Sequence, residues 1–306
     1  MVFGFLSGMD NKIKKVAVFG CGIMGTQIAI LSASRGYEVA AYDVDESSYK
    51  TALAYFKAVV PFSPKRPLLT LEQWEKGAEQ VARFREPGMA VEDADLVIEA
   101  APENLELKKK IFKQLDDLAP GRAVLATNSS SIPISRIEKA VKRPQRCLNI
   151  HFYSLVLGAN MADIMGGTET TDETMKTAEA WVRSLGCVPL PVKKEILGFC
   201  FNRVWRAVKR EALHMWAGGF VDFRDIDRAW MIIYGTPQGP FGMMDRVGLD
   251  VVYDIEMVYY NESKDPKDHP PDALKEMVAQ KECGVKTKKG FYTYPDPEYA
   301  RPGFLQ

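Results

Sequence analysis

The sequence predicts an α/β domain built on a doubly wound parallel sheet, followed by an all-helical domain. Short apolar runs typical of strands alternate with helical segments as far as Lys194. Such alternation indicates a parallel sheet with helices on both faces. Beyond Lys194 only helical spacing continues, at 199–217, 223–233 and 251–260. We therefore expect one domain over residues 1–194 and a second over residues 195–306.

The first predicted strand runs directly into a glycine-rich turn. Residues 16–19 are apolar, and Gly-x-Gly-x-x-Gly follows at 20–25, before a run with helical spacing. Gly20 permits a tight turn, Gly22 lets a pyrophosphate approach the backbone, and Gly25 lets the helix pack on the strand. The first helical turn offers free N–H groups to phosphates. This Rossmann-type pattern predicts five cofactor-binding residues, namely Gly20, Gly22, Ile23, Met24 and Gly25.

The second predicted strand, 38–42, ends at Asp43, 18 residues beyond Gly25. A carboxylate there can accept hydrogen bonds from the hydroxyl groups of an adenosine ribose. Capping of the next helix is the alternative role. Asp45 and Glu46 add negative charge that would repel the 2′-phosphate of NADP. We therefore expect the cofactor to be NAD.

The remaining elements of the first domain continue the alternation. Residues 47–84 are predicted as two helices joined by a proline-rich turn at 61–67. Predicted strands follow at 95–100, 123–127, 146–150, 162–166 and 187–192, with helices at 105–118, 133–141 and 171–185. Ligands of such sheets bind beyond the carboxyl ends of the strands. One crevice should therefore be lined by Gly22, Asp43, Glu103, Ser130 and His151.

Composition argues against several classes of partner. Asp and Glu total 40 and Lys and Arg total 40, so the zero net charge indicates neither nucleic acid nor a membrane surface. No run reaches the roughly 18 apolar residues of a membrane span, and residues 1–12 make a poor signal peptide. Five separated cysteines without C-x-x-C spacing indicate reduced thiols in the cytoplasm, and neither a metal site nor a disulfide framework.

One of the three histidines falls at the expected crevice. His151 directly follows the strand predicted at 147–150, whereas His214 lies in a helix and His269 in a proline-rich loop. Hydride transfer from an alcohol to NAD needs a base for the hydroxyl proton, and imidazole titrates near neutrality. A carboxylate on the second ring nitrogen would fix the tautomer. Asp163, 12 residues later, is the candidate, and a surface aspartate is the alternative.

Seven segments resemble, in order, the sequence blocks of the L-3-hydroxyacyl-CoA dehydrogenase family. They are GCGIMG, IEAAPENLELKKKIF, ATNSSSIPIS, NIHFYS, GFCFNRV, GTPQGPFGMMDRVGLD and GVKTKKGFYTY, and they extend from about Lys14 to Tyr294. The resemblance implies an NAD-binding domain before a helical domain that forms a homodimer. It also implies NAD-dependent oxidation of L-3-hydroxyacyl-CoA to 3-ketoacyl-CoA, within fatty acid metabolism.

The resemblance further implies roles for single residues. The family's catalytic histidine falls on His151, and its orienting glutamate falls on Asp163. Its catalytic serine and asparagine, which also bind substrate, fall on Ser130 and Asn202. The family's remaining cofactor contacts fall on Glu103, Lys108 and Lys286.

Two departures from the family pattern keep a second substrate class open. Asp163 is one methylene shorter than glutamate, so a gap of roughly 1.5 Å between its carboxylate and the His151 ring must be closed by a backbone shift or by water. Ser154–Leu157 replaces Asn-Pro-Val-Pro, and the segment up to Met165 is more similar to the diketoreductase branch, which reduces free keto esters. The alternatives are NADH-dependent reduction of a non-CoA keto acid or ester, and a non-enzymatic NAD-binding protein.

Overall fold

An eight-stranded sheet forms the centre of the N-terminal unit in the computed structural model, which describes residues 13–59 and 68–306. Residues 1–12 and the proline-rich turn predicted at 61–67 lie outside the described residues. The strands are β1 Lys15–Phe19, β2 Glu38–Tyr42, β3 Val81–Phe84, β4 Leu96–Glu99, β5 Val124–Thr127, β6 Cys147–Phe152, β7 Met161–Gly166 and β8 Val188–Val192. Their order in the sheet is β3-β2-β1-β4-β5-β6-β7-β8, so the winding reverses between β1 and β4.

Helices cover both faces of this sheet. The described helices of the unit are α1 Ile23–Ser34, α2 Ser47–Val59, α3 Leu71–Glu79, α4 Pro87–Val91, α5 Leu105–Leu118 and α6 Asp172–Ser184. Alternate residues of β1 enter different cores: Val16 and Val18 belong to one apolar cluster, and Ala17 and Phe19 to the other. A strand buried on both faces is typical of a doubly wound sheet. The predicted fold class is confirmed.

Three local predictions were wrong. The helix expected up to residue 84 ends at Glu79, and Val81–Phe84 forms the edge strand β3, which pairs with β2. A four-residue strand is too short for periodicity to separate it from a helix. The helix expected at 133–141 is two single 3₁₀ turns. β7 runs antiparallel to β6, which departs from the parallel pattern of the other strand pairs.

The second unit begins at Phe201 and is helical. Its α-helices are α7 Phe201–Ala217, α8 Phe223–Tyr234, α9 Pro240–Val247, α10 Leu249–Ser263 and α11 Asp272–Ala279. Their core contains buried Phe241, Met244 and Leu249. The predicted domain boundary at 194/195 lies between the end of β8 and the start of α7. Within the described ranges, no helix has the length and apolar character needed to cross a bilayer.

Candidate active site

The glycine-rich turn between β1 and α1 has the backbone geometry that a dinucleotide requires. Gly20 has a φ of 97°, and a Cβ there would lie 2.7 Å from the backbone of Ala100. A Cβ on Gly25 would lie 1.8 Å from the carbonyl oxygen of Gly20, so only glycine lets α1 pack this closely. Gly22 is the N-cap of α1, and a Cβ there would meet nothing within 4 Å. Open space thus faces the free N–H groups of the first helical turn, as pyrophosphate binding requires.

Asp43 borders the cavity beside this turn. Its Oδ2 accepts a hydrogen bond from the Cys21 backbone N–H at 2.5 Å, and its Oδ1 accepts one from Asp45 N–H at 2.9 Å. A cavity of about 570 Å³ is bounded by Gly22, Asp43 and Ala101, among other residues. The carboxylate therefore fixes the glycine turn and also lies where a ribose diol could be bound. These residues fit the adenosine and pyrophosphate portions of NAD.

A buried ion pair joins the end of β4 to α5. The Lys108 ammonium donates to both carboxylate oxygens of Glu99 at 2.8 and 3.0 Å and to the Ala101 carbonyl at 3.1 Å. Thr127 also donates its hydroxyl to Glu99, at 2.6 Å. Glu103 lies 3.4 Å from the Lys108 nitrogen. An ammonium group has three donors, and these acceptors use them. The sequence predicts that Lys108 contacts the cofactor, and that contact stays a prediction.

Glu103 anchors the serine-rich loop that follows β5. Its Oε1 accepts hydrogen bonds from the Ser129 hydroxyl at 2.5 Å and from the Ser131 hydroxyl at 2.7 Å. Burial acts to raise the pKa of Glu103, but these hydrogen bonds and the charge of Lys108 outweigh it, so the pKa is lowered. Ser130 lies between the two anchored serines and is exposed. The loop is thus tethered on both sides of the residue predicted to bind substrate.

His151 and Asp163 are directly opposite each other on β6 and β7. The two residues are register partners in the antiparallel ladder, and both are buried. His151 Nδ1 lies 3.3 Å from Asp163 Oδ2, so the shorter aspartate reaches the ring without an intervening water. His151 was predicted to lie just beyond the strand. β6 instead continues to Phe152, so His151 lies inside it. The Phe152 backbone N–H donates to Asn128 Oδ1 at 2.8 Å, which ties β6 to the serine loop.

Two aromatic residues that sequence reasoning missed contact the His151 ring. Phe199 stacks on it with a centroid distance of 5.1 Å and an interplanar angle of 12°. Phe199 has a left-handed φ of 52°, a strained conformation for a bulky residue. Tyr153 meets the ring edge-on at 4.6 Å. Phe199 stands in the Gly-Phe block of the family resemblance, and Tyr153 follows His151 by two residues, so both positions carried a signal.

The predicted crevice positions are joined by contacts between neighbours. Gly22 and Asp43 border the same cavity, and Glu103 holds the loop that carries Ser130. That loop in turn bonds the strand that carries His151. Because β1, β2, β4, β5 and β6 run parallel, their carboxyl ends share one edge of the sheet. The structure therefore brings these five positions to that edge.

The other two predicted site residues belong to the C-terminal unit. Asn202 is the second residue of α7 and is half-buried. Lys286 lies in a 3₁₀ turn at 285–287 and pairs with Asp250 at 2.5 Å. Their roles toward substrate and NAD stay predictions.

Protein-family models match almost the whole chain. Residues 15–196 match the NAD binding domain of 3-hydroxyacyl-CoA dehydrogenase, and residues 198–294 match the C-terminal domain of that enzyme. The chain belongs to the 3-hydroxyacyl-CoA dehydrogenase family. This confirms the predicted family membership and the predicted NAD cofactor. It also confirms, at the level of the family, the predicted class of NAD-dependent dehydrogenase acting on a CH–OH group.

Individual members of the 3-hydroxyacyl-CoA dehydrogenase family show the same extent of similarity. The 3-hydroxybutyryl-CoA dehydrogenase of Clostridioides difficile is 32% identical over 284 residues, covering 92% of this chain and 99% of that protein. The structure of (S)-3-hydroxybutyryl-CoA dehydrogenase from Ralstonia eutropha is 30% identical, with a TM-score of 0.82 and coverage of 93% and 100%. A diketoreductase structure, described as acting on dicarbonyl compounds, is 33% identical, with a TM-score of 0.80 and coverage of 92% and 99%.

Proposed function

We propose that this protein catalyses the reversible, NAD-dependent oxidation of L-3-hydroxyacyl-CoA to 3-ketoacyl-CoA. The observation that carries the proposal is the buried His151–Asp163 pair, on the sheet edge that also holds the glycine turn. A proton acceptor oriented by a carboxylate is what oxidation of a secondary alcohol requires. Family membership supports the choice of substrate class.

In the proposed mechanism His151 is the general base. The glycine turn and Asp43 would hold NAD, which would supply the hydride acceptor for C3 of the substrate. Because Nδ1 of His151 faces Asp163, the other ring nitrogen is left to take the hydroxyl proton. Asp163 stabilises the imidazolium that results. Ser130 and Asn202 hydrogen-bond the reacting oxygen or the thioester carbonyl, and in the reverse direction His151 acts as the acid.

Substitution of the histidine tests this mechanism. His151→Ala should lower kcat for acetoacetyl-CoA reduction by about 10²- to 10⁴-fold, because the proton loses its positioned donor. The dissociation constant of NADH should stay nearly unchanged, and it can be measured by fluorescence titration. His214→Ala is a matched control on helix α7 and should retain activity. Equal turnover in wild type and His151→Ala would refute the base assignment.

A second candidate is reduction of a keto acid or ester that carries no CoA. The similarity to a diketoreductase and the altered segment after His151 favour it. Comparison of acetoacetyl-CoA with a diketo ester, by the rate of NADH consumption, separates the two substrate classes. If wild type turns over neither compound but binds NADH, the non-enzymatic alternative gains support.

We also infer a homodimer formed through the helical unit. Apolar side chains are exposed at the end of α8, where Ile233 is 74% exposed, and along α10 at Val251, Ile255 and Val258. Exposed apolar surface of this kind is typical of subunit interfaces. Light scattering should give a dimer for wild type and a monomer for Ile233→Asp. Met89→Asp, at an exposed apolar residue of α4, should remain dimeric, and a monomeric wild type would contradict the inference.

We place the protein in the cytoplasm and in fatty acid metabolism. All five cysteines are free thiols, which accords with a reducing compartment. An acyl thioester substrate supports the metabolic assignment. Cell fractionation, and growth of a deletion strain on fatty acids, would test the two statements separately.

A further inference from the structure

The Asp163 carboxylate is shared by two side chains. Oδ2 accepts a hydrogen bond from the Tyr153 hydroxyl at 2.6 Å and lies 3.3 Å from His151 Nδ1. We propose that Tyr153 is a positioning residue of the active site, whose hydroxyl holds the Asp163 carboxylate where it can orient the His151 imidazole. This inference rests on the proposed role of His151 as the base.

The strand geometry places all three side chains together. His151 and Tyr153 are two residues apart, so their side chains leave the extended chain on the same side. Asp163 is the cross-strand partner of His151 on β7. The rings of His151 and Tyr153 are in edge contact at 4.6 Å and 65°. The hydroxyl therefore approaches the carboxylate from beside the imidazole.

The bond lengths indicate which partner controls the carboxylate. A charge-assisted N–H···O bond is usually about 2.7–2.9 Å long, so the 3.3 Å contact to His151 is loose. The 2.6 Å bond from Tyr153 is of the short, strong kind expected for a hydroxyl donating to a carboxylate. On the other oxygen, the Cys200 backbone N–H donates at 3.3 Å. Of these three contacts to the fully buried Asp163 carboxylate, the one from Tyr153 is therefore the shortest.

This arrangement compensates for the short aspartate. A glutamate would carry its carboxylate one methylene further toward the ring and could grip the imidazole directly. Asp163 stops short, and the tyrosine hydroxyl fixes the orientation that the missing methylene no longer supplies. Because a carboxylate can only accept, the proton of this bond comes from Tyr153. Since the hydroxyl proton is used in this bond, Tyr153 is a positioning residue and not a proton donor to substrate.

The experiment is a double-mutant cycle on Tyr153 and Asp163. Tyr153→Phe should lower kcat by about 10- to 100-fold, because the imidazole loses its fixed orientation. Asp163→Glu should cause a similar loss, since the longer side chain meets a hydroxyl already at 2.6 Å. In the double variant the hydroxyl is gone and glutamate has room, so kcat should return to within about threefold of wild type. The KM for NADH should remain constant throughout.

A matched tyrosine controls for the loss of a short hydrogen bond. The Tyr37 hydroxyl lies 2.5 Å from the Ser184 hydroxyl, away from the candidate site. Tyr37→Phe should leave kcat unchanged, and NADH binding should verify that every variant is folded. The proposal is overturned if Tyr153→Phe keeps kcat within about twofold of wild type, or if the losses of the two single variants simply multiply in the double variant.

A spectroscopic measurement separates this inference from the proposed function. If wild type reduces neither acetoacetyl-CoA nor a diketo ester, the function fails, but the geometry can still be tested by ¹⁵N NMR. The chain has three histidines, so the His151 signals are assigned by comparison with His151→Ala. Tyr153→Phe should shift the imidazole ¹⁵N signals, and the double variant should restore them. Unchanged signals in Tyr153→Phe would refute the positioning role.

Discussion

Substitution of Lys108 by methionine should strongly lower the stability of the N-terminal unit and should weaken NADH binding only modestly. Lys108 and Glu99 are both fully buried, and the ammonium lies 2.8 Å from the carboxylate. Methionine fills a similar volume but leaves the Glu99 carboxylate buried without its cation. Thr127 and the Ala101 backbone N–H would remain as its donors.

The expected cost follows from this burial. Removal of one partner from a buried ion pair typically lowers the free energy of unfolding by about 3–5 kcal/mol. For a unit of this size, each kcal/mol corresponds to about 2–4 °C in Tm, so Tm should fall by roughly 6–20 °C. The Glu99→Gln/Lys108→Met variant should be less destabilised than Lys108→Met alone, because no unpaired charge stays buried.

The assay combines calorimetry with NADH titration. Lys109→Met is a matched control on the same helix, because its pair with Glu106 is partly solvated at 2.8 Å. Loss of such a surface pair should cost less than about 1 kcal/mol. At a temperature where Lys108→Met is folded, the structure predicts only a modest loss of NADH affinity. An unchanged Tm together with a large loss of NADH affinity would refute this reasoning and favour a direct contact with the cofactor.

Two further predictions concern the glycine turn and the helical core. Gly22→Ala should leave Tm unchanged but weaken NADH binding at least about tenfold by titration, whereas Gly25→Ala should lower Tm, because its Cβ would clash with Gly20. Burial raises the pKa of Asp227 from 3.8 to about 6, despite hydrogen bonds from Phe241 and other residues. The folded state thus binds this proton more tightly, so the stability that Asp227 contributes should be greatest below pH 4 and decline by about 3 kcal/mol as pH rises through 6. The free energy of unfolding is measured against pH for wild type and for Asp227→Asn, and the difference between the two series isolates this dependence. Parallel curves for the two proteins would contradict the prediction.

The cofactor half of the site was predictable because its determinants are local. The roles of Gly20, Gly22 and Gly25 depend on backbone contacts within one strand–turn–helix, and residue spacing encodes that unit directly. Asp43 follows the same logic, since it comes directly after the neighbouring strand β2. The sequence did not reveal that this carboxylate also accepts a hydrogen bond from Cys21 and so fixes the turn.

The histidine half was less predictable because it depends on pairing between strands. Spacing placed Asp163 near His151 but could not show that β7 runs antiparallel, which makes the two residues direct cross-strand partners. The same reversal of direction brings Asp163 to the Tyr153 hydroxyl. The edge strand at 81–84 was missed for a related reason, since its identity comes from pairing with β2 and not from its own four residues.

Within the N-terminal unit, hydrogen bonds and one ion pair connect the end of β4, through the serine-rich loop, to the strand that carries His151. The Glu99 carboxylate accepts from Thr127 at the end of β5 and from Lys108, which also approaches Glu103. Glu103 then holds the serine loop, and Asn128 of that loop bonds the strand that carries His151. Loosening one link should therefore displace reacting groups without removing any of them. Because turnover is more sensitive than binding to displacements of about 1 Å, substitutions along this series should lower kcat more than they raise KM.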